Sequence, residues 1–267
     1  MKAWQKIAFN FVSILCLCVS AWTESVFLPV PWVEDPETII TYRTRIIEPG
    51  QGERKSKWDR WEGYYGRKVI RRFEKEGEGL LYASEEAVLK DGTQIIAEST
   101  YRAGESLIPL TYSRKMYSPS GSEILQYDVA MADPATKLPS NTYGLPLSFA
   151  LSGFAAAPQS SGKREFYFYI GEEQASRMYV ERVGSEAVTV PAGTFQCYRF
   201  KMSVDLKSVM PIHGLVSMVA SAFTDDFYFW FSKEPPYRFV KYQGTVGPPG
   251  APSIVMEVVS IRKGISN

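Results

Sequence analysis

From Pro36 onward the chain breaks into short runs that alternate apolar and polar residues, with turn-forming residues between them. That pattern constrains the fold more than any other feature. In 38–47, Ile40, Tyr42 and Ile46 fall on one face and Thr41, Arg43 and Arg45 on the other. Runs 80–90 and 94–102 flank Asp91-Gly92, a strong hairpin signal. Runs 107–117 and 123–131 flank Ser118-Pro119-Ser120-Gly121, and 164–170 with 177–183 make a third pair. Runs 186–190 and 195–204 are joined by Pro191-Ala192-Gly193-Thr194. Runs 227–231, 238–243 and 253–262 close the chain. The expected fold class is mainly β: a bent antiparallel sheet or open β-barrel-like architecture with one or two short helices.

Two stretches depart from the alternation. Residues 142–157 mix Leu145, Leu147, Phe149, Leu151 and Phe154 with small residues and read as one short helix on the sheet. Residues 208–224 carry Met210, Leu215, Met218 and Phe223 with hardly a charge. They read as a lid or as a buried crossover, and Pro211 and Gly214 favour helix only after Gly214. Residues 157–162 are the best linker candidate, so 22–267 is expected to be one β-rich domain, with two sheet halves joined there as the variant.

The amino terminus reads as an export signal. Lys2 and Lys6 precede an apolar run over 7–19, and Val19-Ser20-Ala21 supplies the small residues read at cleavage. The expected signal peptide is 1–21, with a cut after Ser25 as second choice. An apolar run of that length spans about 20 Å as helix, short of the roughly 30 Å hydrocarbon core. Leu15 and Leu17 precede Cys16 and Cys18, where a lipoprotein signal wants a small residue, so a lipid anchor is the lesser alternative. A bacterial periplasmic or secreted location follows, with no transmembrane span in the mature chain.

Composition narrows the function classes. Of 30 basic residues the signal removes two, leaving 28 against 29 acidic ones. A nucleic-acid binder would want a basic excess, so none is expected. Of the three cysteines only Cys197 remains, and His213 is the only histidine. No internal disulfide can form, no His/Cys metal site is expected, and no cofactor is implied. Any Ser-His-Asp triad would have to use His213, and no Gly-x-Ser-x-Gly elbow accompanies it, so a hydrolase is the least supported class. The acidic pairs Glu85-Glu86, Glu172-Glu173 and Asp225-Asp226 place neighbours on opposite strand faces and do not converge on one ion. Cys197 reads as a small buried hydrophobe on the face opposite Tyr198, Phe200 and Met202. Arg199 shares its face, which leaves a reactive thiol as the alternative. In 51–76, basic residues interleave with Trp58, Trp61, Tyr64, Tyr65 and Phe73, either as one charged strand face or as a surface for anionic headgroups or glycans.

Val188-Thr189-Val190-Pro191-Ala192-Gly193-Thr194-Phe195-Gln196-Cys197-Tyr198 resembles a stretch typical of a family of exported bacterial proteins, domain of unknown function 3108. Phe229-Trp230-Phe231-Ser232, Pro235-Pro236 and Val240-Lys241-Tyr242 follow in that family's order. The resemblance covers about 187–261 and implies an exported β-rich fold with no established reaction. The apolar insert 208–224 departs from the pattern.

The leading expectation is a non-enzymatic exported envelope protein that binds a lipid or other apolar molecule in a bent-sheet cavity. Met210, Leu215, Met218, Phe223, Trp58 and Trp61 are the candidate ligand-binding residues. The alternative is a structural or assembly factor of the cell envelope that binds a protein partner through a sheet edge or aromatic surface.

Overall fold

A computed structural model describes residues 27–31, 38–48, 63–75, 78–157, 162–171, 174–205, 227–245 and 252–263. Thirteen strands form one sheet: β1 (Thr38–Glu48), β2 (Gly63–Lys75), β3 (Glu78–Val88), β4 (Gln94–Ala103), β5 (Leu107–Tyr117), β6 (Glu123–Ala130), β7 (Thr142–Tyr143), β8 (Arg164–Gly171), β9 (Gln174–Val190), β10 (Gly193–Val204), β11 (Phe227–Ser232), β12 (Phe239–Thr245) and β13 (Ser253–Lys263). One α-helix, α1 (Leu147–Ala156), and a 3-10 turn at Pro134–Thr136 complete the described elements. The fold is mainly β, as the alternation predicts.

The order across the sheet is β6-β5-β4-β3-β2-β1-β13-β12-β11-β10-β9-β8-β7. Two meanders therefore run outward from the centre, where the first and last strands pair antiparallel, Tyr42 opposite Val258. Every pairing is antiparallel except β7 with β8.

Local chemistry sets the turns. Gly92 lies at φ +84°, where a side chain is strained, and Asp91 Oδ1 accepts from the Thr93 N–H at 2.9 Å. At the β9–β10 turn Val190 faces Gly193 across Pro191-Ala192, and Gly193 takes φ +132°. Pro109 sits opposite Tyr101 at a β-bulge, a place where a strand tolerates a missing N–H. One detail differs from the sequence reading. Runs 177–183 and 186–190 are a single long strand, because Gly184-Ser185 continues the ladder and a bulge at Val183 absorbs the irregularity.

The sheet curls until its two ends meet through side chains. The rings of Tyr112 on β5 and Tyr127 on β6 stand 5.5 and 6.2 Å from that of Tyr169 on β8. Tyr143 on β7 donates its hydroxyl to the Leu107 carbonyl on β5 at 2.7 Å.

Helix α1 lies inside the curl. Its residues from Leu147 to Ala155 are all buried, so it is apolar all round rather than amphipathic, as a helix enclosed by its own protein must be. Phe149 packs against Tyr101 at 5.6 Å between ring centres, and Phe154 against Phe200 at 6.4 Å. On its other side Gly153 lies against the Pro29 carbonyl, so residues 27–31 cover the helix. Burying Phe149, Leu151 and Phe154 contributes about 1.5–3 kcal/mol each. Around α1 the inner face is aromatic: Tyr42, Phe200, Phe229, Phe231, Phe239 and Tyr242 form a continuous ring-on-ring cluster with centroids 5.0 to 6.4 Å apart.

Candidate functional site

The residues singled out for an apolar guest, Met210, Leu215, Met218, Phe223, Trp58 and Trp61, lie outside the described residues, and so does His213. The strands on either side of the apolar insert are described. β10 and β11 are adjacent antiparallel partners whose last pair is Met202 opposite Phe227. The end of β10 and the start of β11 therefore lie at one rim of the sheet. At that rim Phe227 stacks on Tyr242 with centroids 6.3 Å apart on the inner face.

The concave side holds α1, the short helix expected to lie on the sheet. The apolar packing described there is the protein's own: Phe149, Leu151 and Phe154 on one element and the aromatic cluster on the other.

The opposite face carries the charges. Residues directly opposite one another in register share a face. Arg199 on β10 faces Trp230, Trp230 faces Lys241, Lys241 faces Glu257, and Glu257 faces Arg43 on β1. This row crosses five strands. Lys241 Nζ lies over the Trp230 ring at 4.7 Å, and the Arg199 guanidinium lies over Tyr228 at 4.4 Å and Trp230 at 5.8 Å. The Trp230 indole N–H donates to Glu186 Oε1 at 2.7 Å. Arg43 and Arg45 both donate to Glu257 Oε1, at 2.6 and 3.3 Å. Burial alone would raise the Glu257 pKa, but those two hydrogen bonds outweigh it and hold the carboxyl below its usual 4.5. The Trp230 ring and the Glu257 carboxylate are buried, while the Arg199, Arg43 and Arg45 side chains stay 39% to 52% exposed.

Cys197 sits on this same face and is fully buried. Burial first, then the nearby Glu186 charge, push its thiol up to about 12 against the pull of Lys233. Its Sγ–H points to the Phe195 carbonyl at 3.6 Å. A thiol so placed is protonated and unreactive at neutral pH, which fits the small-hydrophobe reading.

A third feature is the sheet's end. β6 is the last strand on its side, and among the described residues no strand pairs with its outer edge. Glu123, Ile124, Gln126, Asp128 and Ala130 are exposed along it, Ile124 by 57%. Neither Lys nor Pro blunts this strand. Sequence reasoning missed the row, and it offered a sheet edge without saying which strand forms it. Arg43, Arg199 and Lys241 look like unrelated surface charges until register brings them together.

Among the described residues no group of three or more His, Cys, Asp or Glu side chains could hold a metal ion, and no helix is long and apolar enough to cross a membrane. No family model and no curated protein matches the chain. Among solved structures it is similar to a β-barrel-like protein of domain of unknown function DUF1849 from Brucella abortus, with TM-score 0.43, 11% identity, and 89% of this chain and 99% of that one covered. It is also similar to the hypothetical lipoprotein YmcC from Escherichia coli, with TM-score 0.34, 10% identity, and 94% of each chain covered. Likenesses of this degree assign neither a family nor an activity.

Proposed function

We propose that this chain is a non-enzymatic exported envelope protein, of the family that 188–198 resembles, and that it works by binding a protein partner along the open edge of β6. The observation that carries this reading is that edge. It is a strand of eight residues at the end of a curled sheet, with Ile124 exposed near its start and neither Lys nor Pro along it, its charges being Glu123 and Asp128. An extended segment of another protein adds there by main-chain hydrogen bonds, with side-chain contacts giving selectivity. The packed interior around α1 supports a rigid scaffold that presents this edge.

The test places a photo-cross-linking residue at Ile124 or Gln126 in cells making the full chain. Capture of an envelope protein from these positions, with none from the exposed Lys137, is the expected result. Equal capture at all three positions, or none at β6, overturns the edge reading. Export is tested separately by mass spectrometry of the purified protein. A mature terminus at Trp22 or Val26 supports it, and an intact Met1 terminus overturns it.

A second reading keeps the apolar guest. It is favoured by the rim between β10 and β11, where Phe227 stacks on Tyr242 at the inner face, and by the apolar sequence that separates these strands, with Met210, Leu215, Met218 and Phe223. Native mass spectrometry of the mature protein is then expected to show a retained lipid that is lost in the Leu215→Asp/Met218→Asp double variant. Protein that carries no lipid from the cell removes this reading and leaves the edge untouched.

A further inference from the structure

We infer that the outer face of β10–β13 and β1 docks onto an anionic lipid surface. This goes beyond the partner edge, lies on a different part of the sheet, and stands or falls independently of it.

The first ground is charge. Arg43, Arg45, Arg199, Lys201, Lys241 and Arg262 hold register positions on this one face. Three acids stand against these six cations: Glu257, Glu186, whose Oε1 lies 4.0 Å from Arg199 Nη1, and Glu181, opposite Lys201 on β9. The mature chain as a whole has 28 basic and 29 acidic residues, so this is a local positive field on a nearly neutral molecule.

The second ground is how the charges are held. A lone surface lysine or arginine loses side-chain entropy when it binds. Here the loss is largely taken on folding. Lys241 and Arg199 are laid over the buried Trp230 ring, and Arg43 and Arg45 are clamped on the buried Glu257 carboxylate. Trp230 is itself fixed by its hydrogen bond to Glu186. Arg43 and Arg45 share a single carboxylate oxygen, so the clamp neutralises one of their two charges and leaves guanidinium donors turned to solvent.

The third ground is spacing. Arg199, Lys241 and Arg43 recur on every second strand along one row, about 10 Å apart. Lys201 and Arg45 flank that row one pleat away, on β10 and β1. A two-dimensional grid of fixed cations suits a plane of lipid phosphates better than a single small anion, which would engage only one of them. Trp230 is buried beneath its cations, so the contact is electrostatic adhesion to headgroups and not insertion of rings into the bilayer.

The test uses the mature chain and vesicles of phosphatidylcholine with or without phosphatidylglycerol. Co-sedimentation with the anionic vesicles alone, weakened by added salt, is the expected result. Each basic residue removed from the grid is expected to weaken binding about fivefold. The variants are Arg45→Gln, Lys201→Gln and the pair together, chosen to leave the Arg43–Glu257 contact in place. Thermal unfolding of each checks that it folds. Lys137→Gln, away from the face, is expected to bind as the parent does. The inference is overturned by equal binding to neutral vesicles, by undiminished binding of the folded double variant, or by an equal loss in Lys137→Gln. It is also overturned if a soluble acidic glycan binds this face while anionic vesicles do not.

Discussion

The hydroxyl of Tyr143 joins two backbone groups far apart in sequence. It accepts from the Leu28 N–H at 2.8 Å and donates to the Leu107 carbonyl at 2.7 Å, and the Leu107 N–H in turn donates to the Leu28 carbonyl at 2.8 Å. One phenol thus ties the segment that covers α1 to β7 and to β5. All three residues are fully buried, so no water replaces a lost bond cheaply.

Tyr143→Phe keeps the ring and removes both side-chain hydrogen bonds. It leaves a buried N–H and a buried carbonyl each short of a partner, and the expected loss of stability is about 2–4 kcal/mol. Chemical denaturation measures it. A change within experimental error would show that the hydroxyl is not a tie.

Burial raises the pKa of Tyr101, Tyr112 and Tyr143 above their usual 10.0, with Tyr112 at about 12. The folded state therefore holds these protons more tightly than the unfolded state. Their stabilisation is complete below pH 10 and is lost as pH rises through the folded values. The denaturation midpoint is expected to fall between pH 10 and 12, and to fall less steeply in Tyr112→Phe. A flat midpoint over that range contradicts the packing of these rings.

The Glu257 carboxyl works in the other direction. Its pKa is lowered in the folded state, so its contribution is present above its usual 4.5 and disappears as pH drops below it. Glu257→Gln is expected to cost about 1–2 kcal/mol at neutral pH and to flatten the acid limb of the stability profile. An acid limb identical to that of the parent would show that Arg43 and Arg45 do not hold this group.

Gly153 offers a test of the helix's seat. A glycine-to-alanine change inside a helix ordinarily stabilises by about 1 kcal/mol. Here a Cβ would stand 1.9 Å from the Pro29 carbonyl oxygen, so α1 or the covering segment must move. Gly153→Ala is expected to lower the melting temperature, and a rise would mean that residues 27–31 do not rest on the helix.

Cys197 is expected to resist iodoacetamide in the folded protein and to react once denatured, because burial keeps its thiol protonated. Fast labelling of native protein, followed by mass spectrometry, would contradict the buried placement.

What the sequence told and what it hid divides along a physical line. The turns at Asp91-Gly92 and Pro191-Ala192-Gly193 and the apolar run that becomes α1 are local signals, and they are where the reading places them. Gly184-Ser185 looks like a turn from neighbouring residues alone. The ladder to β10 overrides that preference and carries the strand through. The pairing of β1 with β13, the helix inside the curl and the Arg199-Trp230-Lys241-Glu257-Arg43 row all depend on register between strands far apart in sequence, as with Arg43 and Glu257 at a separation of 214. Alternation predicts which way a side chain points and is silent on what stands opposite it.

Placing the earliest and latest strands side by side also sets a schedule. While the polypeptide is being made, β1 can zip to β2 at once, but its other flank stays bare until the final ribbon arrives. Fragments that stop short of Ser253 keep that flank unclosed however well their hairpins form, and they invite mispairing with one another.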